Sequence, residues 1–181
     1  MQNYILEVKK LIPKIQCKKI IDYFDANFFD ARVGTGCIDK EIRNCVTRNI
    51  LDTKTFGEKI VSNYVKSKLH DCAKFYHKKH NHFNFSKISQ LDLLKYDNNN
   101  YKSGYAYHVD TGVGTQRHIS ISICLNNDFE GGEFVFDLPK QEYQIGQNVG
   151  DALIFPSNFL FPHQVNQITR GTRYALIGWI I

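Results

Sequence analysis

The spacing of the apolar residues changes near residue 85, and this change limits the fold more than any other feature of the sequence. Upstream, Cys17, Ile20, Ile21 and Phe24 stand at i, i+3, i+4 and i+7, one face of a helix, with Pro13 near its first turn. Thr55-x-x-Glu58 has the form of a capping box, in which two side chains satisfy backbone N–H groups at a helix start. It predicts a second helix from Thr55, with an apolar stripe through Val61, Val65, Leu69, Cys72 and Tyr76. Downstream the period becomes two. Residues 90–96, 117–125, 133–136, 149–155 and 173–181 read as strands, bounded by residues 97–100, Gly131-Gly132, Gly146, Gly150 and Gly171. The prediction is a mainly β fold with flanking helices: a sandwich or barrel with helices packed outside it. No linker or repeat divides the 181 residues, so one domain is expected. Residues 1–85 would be a mostly helical N-terminal support and residues 86–181 the β core.

Several classes are excluded at once. Aromatics make up 13% of the chain, too many for a disordered polymer. The longest clean apolar run, residues 174–181, falls far short of the roughly 20 residues a membrane helix needs. Five cysteines occur with no CxxC pair, and Glu7, Lys9 and Lys10 interrupt the stretch where a signal peptide would be apolar. Reduced thiols and a cytoplasmic location are expected. Residues 1–80 carry 16 Lys and Arg against 9 Asp and Glu, while the rest of the chain carries 7 against 9. Such a basic half can attract nucleic acid, membrane or an acidic partner, but a lysine-rich solvated helical surface is the preferred reading.

Candidate chemistry begins at His108-Val109-Asp110, because residues i and i+2 of a strand project to one face. His163, leaving the turn after Phe161-Pro162, adds a second imidazole. Two histidines and a carboxylate form the facial triad of non-haem Fe(II) oxygenases, with zinc the competing metal. Arg173 heads a strand on which Ala175, Ile177 and Trp179 share its face. A guanidinium on an inward apolar face needs an anion, and a small dicarboxylic acid would fit it bidentately. His77, His80 and His82 lack a companion carboxylate and read as a solvated helix end, and His118 as a surface or packed residue. Gly131-Gly132 reads as a turn. Tyr101, Tyr105 and Tyr107, just before His108, either line a substrate groove or anchor a loop.

In this order, His108-x-Asp110, Arg117-x-x-Ser120, Leu125-Asn126, Gly131-Gly132-Glu133-Phe134, Gly150-Asp151, Phe155-Pro156-Ser157, His163-x-Val165 and Gly171-x-Arg173-Tyr174 with Trp179 resemble the 2-oxoglutarate/Fe(II) dioxygenases of the prolyl 4-hydroxylase-like superfamily. The resemblance implies a double-stranded β-helix (jelly roll) with N-terminal helices. It implies that His108, Asp110 and His163 ligate Fe(II), that Arg173 binds the distal carboxylate of 2-oxoglutarate, and that Tyr96 lies near that co-substrate. It places Arg117 beside the substrate, with Tyr105 and Tyr107 on the loop leading to the metal. Some relatives carry a tyrosine where Cys124 stands, a departure at the co-substrate pocket. The implied reaction uses O2, releases succinate and CO2, and draws on ascorbate as a possible reductant. A peptidyl prolyl substrate in a peptide or protein partner is the leading expectation, and a free amino acid or other small molecule the alternative. Nucleobase demethylation and nucleic-acid binding are disfavoured, because Trp179 stands where demethylases carry a second arginine. A non-catalytic β-barrel module would be expected to lack a ligand that is present here. The sequence does not fix the substrate or the oligomeric state.

Overall fold

The computed structural model describes residues 1–34, 36–82, 84–98, 103–112 and 114–181. Tyr101 lies outside the described residues. After a short 3-10 turn at Gln2–Tyr4, the elements run β1 (Leu6–Val8), α1 (Lys14–Phe24), β2 (Phe29–Asp30), β3 (Arg43–Asn44), β4 (Val46–Asn49) and α2 (Phe56–Lys79). They continue through β5 (Ile88–Asp97), β6 (Gly104–His108), β7 (Ile119–Cys124), β8 (Phe129–Gly131), β9 (Phe134–Leu138) and β10 (Gln141–Ile145). The chain closes with β11 (Ala152–Pro156), β12 (His163–Val165) and β13 (Ile168–Ile180).

Two antiparallel sheets face each other as a double-stranded β-helix. The larger has the order β1-β11-β7-β13-β5-β4-β2, with β8 also paired to β13; the smaller has the order β10-β9-β12-β6-β3. Period-two alternation sorts the side chains of the larger sheet into two cores. Leu91, Leu93, Ile121, Ile123, Ile154 and Leu176 face the helices. Leu94, Tyr96, Leu153, Phe155, Ile177 and Trp179 face the smaller sheet. Helix α1 buries Cys17, Ile20 and Phe24, the stripe its spacing predicts. Helix α2 buries Val65, Leu69, Cys72 and Tyr76, while Val61 is only partly covered. It comes so close to β13 that a Cβ at Gly178 would lie 2.8 Å from Leu69 Cδ1.

The expected capping box is present. Thr55 Oγ1 accepts from Glu58 N at 3.1 Å, and Glu58 Oε2 accepts from Thr55 N at 3.0 Å. Glu58 also pairs with Arg48 Nη2 of β4 at 2.6 Å, and Arg48 stacks over Phe24 of α1. One arginine thus joins both helices to the sheet.

The first 85 residues differ from expectation. Besides 11 and 24 residues of α-helix they supply four strands. β1, β2 and β4 extend the larger sheet and β3 the smaller. Strands of two to four residues contain too few alternations to reveal a period. All five cysteines are free. Among the described residues no helix is long and apolar enough to cross a membrane.

Thr55→Ala should lower the unfolding free energy by about 1 kcal/mol. Glu58→Ala, which also leaves Arg48 without its carboxylate, should cost more. Urea titration followed by circular dichroism measures both.

Candidate metal centre

His108 is the last residue of β6 and His163 the first of β12, and the two are direct partners across the smaller sheet. Asp110 lies beyond the strand end in a bend, so the His-x-Asp pair converges through a strand terminus instead of along one strand face. His108 Nε2 is 3.5 Å from Asp110 Oδ1, and His163 Nε2 is 3.8 Å from Oδ2. All three ligand atoms lie within 4.8 Å of one another, and this is the one such group among the described residues.

Neighbouring groups fix each ligand. The Nδ1 of His108 donates to Ala106 O at 2.8 Å and that of His163 to Phe161 O at 3.1 Å. A carbonyl only accepts, so each Nδ1 carries the proton and each Nε2 keeps its lone pair for a cation. Asp110 Oδ2 accepts from Ser120 Oγ at 2.5 Å, and Ser120 in turn meets Ser157 Oγ at 2.8 Å. Burial opposes ionisation of Asp110, but His163, His108 and Ser120 together outweigh it and hold the carboxyl well below the usual range. Burial, and then the neighbouring His108, push the His163 imidazole down to about 4. An ionised carboxylate and a neutral imidazole are the forms that bind a divalent metal. The donor set, two nitrogens and one carboxylate with an open side, suits iron as well as other borderline metals.

The surroundings are aromatic. His163 packs against Phe155, Phe136 and Phe134, with ring centroids 4.7, 5.5 and 5.8 Å away. Tyr105 stacks on His108 at 3.4 Å. The Phe134 ring also lies 5.8 Å from the Arg173 guanidinium, so a single aromatic ring neighbours both His163 and that cation.

Arg173 is 2% exposed and is paired in register with Tyr96 on β5. Its side-chain hydrogen bond among the described residues is a long one, 3.4 Å to Gln147 Oε1, and no carboxylate there reaches it. Gly132, at φ +73°, makes room for it, because a Cβ would fall 2.8 Å from Arg173 Cδ. A buried cation in such a cradle calls for an anionic ligand. Tyr96 is 1% exposed, and burial raises its hydroxyl pKa. Cys124 directs its thiol to Asn126 O at 3.1 Å.

A cleft of about 630 Å³ opens beside the triad and includes Tyr105, Arg117 and Trp179 in its wall. Arg117 comes from the loop before β7, not from the strand itself. It lies 3.8 Å over the Trp179 ring, and donates to Gln90 Oε1 at 2.7 Å and Asp110 O at 3.0 Å.

Tyr107 corrects the sequence reading. It is 42% exposed, and its hydroxyl donates to Glu142 of β10 at 2.8 Å, away from the cleft. The register of β6 against β12 shifts between His163↔His108 and Val165↔Tyr105. This bulge places Tyr105 and His108 on one face although they are three residues apart, and turns Tyr107 outward. His118 is exposed, as expected. His80 is not a solvated residue: it packs between Tyr4 and Tyr76, both at 4.7 Å. Gln90, Asp92, Arg43 and Thr47 also stand in the cleft wall, and from the sequence none of them is given a role in the site. Gln90 and Asp92 share the inward face of β5 with Tyr96, and the strand's own period carried that signal.

Comparison with known proteins agrees with this geometry. Residues 92–181 match the family described as the 2OG-Fe(II) oxygenase superfamily. A PKHD-type hydroxylase of Idiomarina loihiensis is 35% identical over 100 residues, covering 52% of this chain and 43% of the relative. The matched stretch thus spans less than half of that curated relative. A prolyl hydroxylase from Trichoplax adhaerens, solved with a hypoxia inducible factor peptide fragment, superposes with a TM-score of 0.80 at 16% identity, covering 99% of this chain and 84% of the other. A Pseudomonas putida prolyl-4-hydroxylase gives 0.76 at 17% identity, covering 98% and 91%. These likenesses are of fold.

Ser120→Ala should leave the fold intact and weaken divalent-metal binding about 10- to 100-fold, because Asp110 loses the hydroxyl that orients it. Calorimetric titration with Co(II) reads this, and Asp110→Ala should abolish binding in the same assay.

Proposed function

We propose that this chain, whose residues 92–181 match the 2OG-Fe(II) oxygenase superfamily, is a member of it and a 2-oxoglutarate-dependent hydroxylase acting on a prolyl residue. The observation that carries the reading is a three-ligand cluster and a buried guanidinium that, among the described residues, no carboxylate reaches, both of them neighbours of Phe134. In it, His108, Asp110 and His163 hold Fe(II), and Arg173 receives the distal carboxylate of 2-oxoglutarate through a charge-assisted, forked contact. Iron with 2-oxoglutarate, when bound, supplies the oxidation that places one oxygen atom of O2 on a substrate carbon, with succinate and CO2 released.

The chain's own residues orient and exclude water. Tyr96, Phe129 and Phe134 surround the Arg173 guanidinium with apolar surface, which strengthens its attraction for a carboxylate. Ser120 keeps the Asp110 carboxylate turned to the cation, and the Phe134, Phe136 and Phe155 rings keep solvent from His163. Arg117, fixed on Trp179 and Gln90, offers a rigid edge against which a substrate can be held. Exposed Phe29, Ile42 and Val109 at the mouth of the cleft suit the flanks of a peptide. The proposal takes residues 1–181 as one oxygenase domain in the cytoplasm, with ascorbate as external reductant. Hydroxylation of a free amino acid or other small molecule is the second reading, and the charged residues of the cleft favour it.

Arg173→Ala should raise the KM for 2-oxoglutarate by roughly 2–4 kcal/mol of lost binding, and Arg173→Lys should restore only part of it, since lysine lacks the fork. Mass spectrometry should show one added oxygen on a proline ligand, and that turnover should fall in Arg117→Ala. Release of succinate with no proline ligand hydroxylated would refute the prolyl assignment.

A further inference from the structure

The cleft holds a charged group that the proposed reaction has not used. Asp92 stands on the inward face of β5, is 4% exposed and lines the cleft with Arg117 and Trp179. Its Oδ2 accepts from Gln90 Nε2 at 2.5 Å. Among the described residues it forms no salt bridge: the Arg43 and Arg117 guanidiniums act on it only from beyond contact distance, and its burial is costly. The wall around it is also unsatisfied. Two buried side-chain donors of the cleft wall, Arg43 Nε and Trp179 Nε1, have no hydrogen-bond partner among the described residues, while the Thr47 hydroxyl stands beside the Asp92 carboxyl. Folded interiors leave few such atoms unpaired, so their concentration in one cavity points to a ligand.

The unpaired groups define that ligand's chemistry. Trp179 Nε1 and Arg43 Nε can only donate, and they call for acceptor oxygens. Asp92 can only accept while ionised, and calls for a cationic donor. An internal prolyl residue supplies the oxygens but no cation, and its amide nitrogen carries no hydrogen. A free α-ammonium beside a carbonyl or carboxylate supplies both. We infer that Asp92 is a specificity-determining residue that receives the substrate's free α-ammonium, so that the prolyl unit acted on is either free proline or the first residue of a peptide. The inference rests on the reaction proposed above and narrows its substrate.

A structural alternative is visible on the same side chains. Gln90 links Asp92 to Arg117, so Asp92 could act only by holding Gln90 in place. The two roles separate by ligand. A prop for Gln90 affects every ligand alike, whereas an ammonium site affects only those with an unblocked amine.

The test uses the full chain loaded with Ni(II), in place of iron, and 2-oxoglutarate. Calorimetry compares free L-proline, a tripeptide beginning with proline, the same tripeptide N-acetylated, and free L-leucine. Hydroxylation of the proline ligands is followed in parallel with the Fe(II) enzyme. The free-amine prolyl ligands should bind roughly 30-fold more tightly than the acetylated peptide. Asp92→Asn should erase that difference and leave the acetylated peptide's affinity unchanged, and Asp92→Glu should retain part of it. Equal binding of free and acetylated peptides by the native protein overturns the inference, needs no variant, and leaves the prolyl reading standing if either is hydroxylated. Uniform weakening of all ligands by Asp92→Asn also overturns it, in favour of the prop. Asp92-dependent binding of leucine, with no proline ligand hydroxylated, supports the ammonium site and overturns the prolyl reading.

Discussion

The burial of Asp110 between the two sheets is the constraint on which the rest of the site depends. A carboxylate at 8% exposure stays ionised only if its oxygens are satisfied, and here each sheet contributes. The larger sheet supplies the Ser120 hydroxyl from β7, and the smaller supplies the imidazoles of β6 and β12. The charge therefore links the two layers at this point. The same requirement explains why the histidines are locked through Nδ1 to backbone carbonyls. A ring free to rotate would turn its N–H toward a neighbour instead of presenting a lone pair to the shared point.

Much of this was legible in the sequence where a regular pattern ran long enough. Helix α2 declared its start through Thr55 and Glu58 and its buried face through Val65, Leu69 and Cys72. The inward row on β13 predicted a buried Arg173 beside Ala175, Ile177 and Trp179, and the chain buries all four. Reading failed where register, not residue type, decides the outcome. Tyr105 and Tyr107 should share a face by strict alternation, but a bulge in β6 separates them, and nothing local in the sequence marks it. Strands β1 to β4 were invisible because each is short and takes its shape from the neighbour it pairs with. Asp92 was legible in principle, since its parity matches that of Tyr96. It was overlooked because a single acid in an apolar strand carries no motif.

The two ligand-seeking regions of the interior differ in kind. Around Arg173 stand three aromatic rings, one long hydrogen bond and a glycine that removes a steric obstacle. Beside the triad the cleft adds to the rings around His163 an arginine braced on Trp179 and unpaired donors at Arg43 and Trp179. Under the proposed function the first region takes the dicarboxylate and the second the substrate.

The close approach of α2 to β13 at Gly178 carries a consequence for how such a cleft can change over evolutionary time. The outer side of that strand is pressed against Leu69, so its backbone has no room to shift toward the helix. Trp179, one residue on, therefore presents its ring from a fixed platform. On β5, Gln90 and Asp92 point inward while Leu91 and Leu93 hold the helices, so the two sets of side chains are separable letter by letter. New substrate preferences can thus arise by exchanging inward residues on a scaffold that stays still, without a compensating change in the outer core.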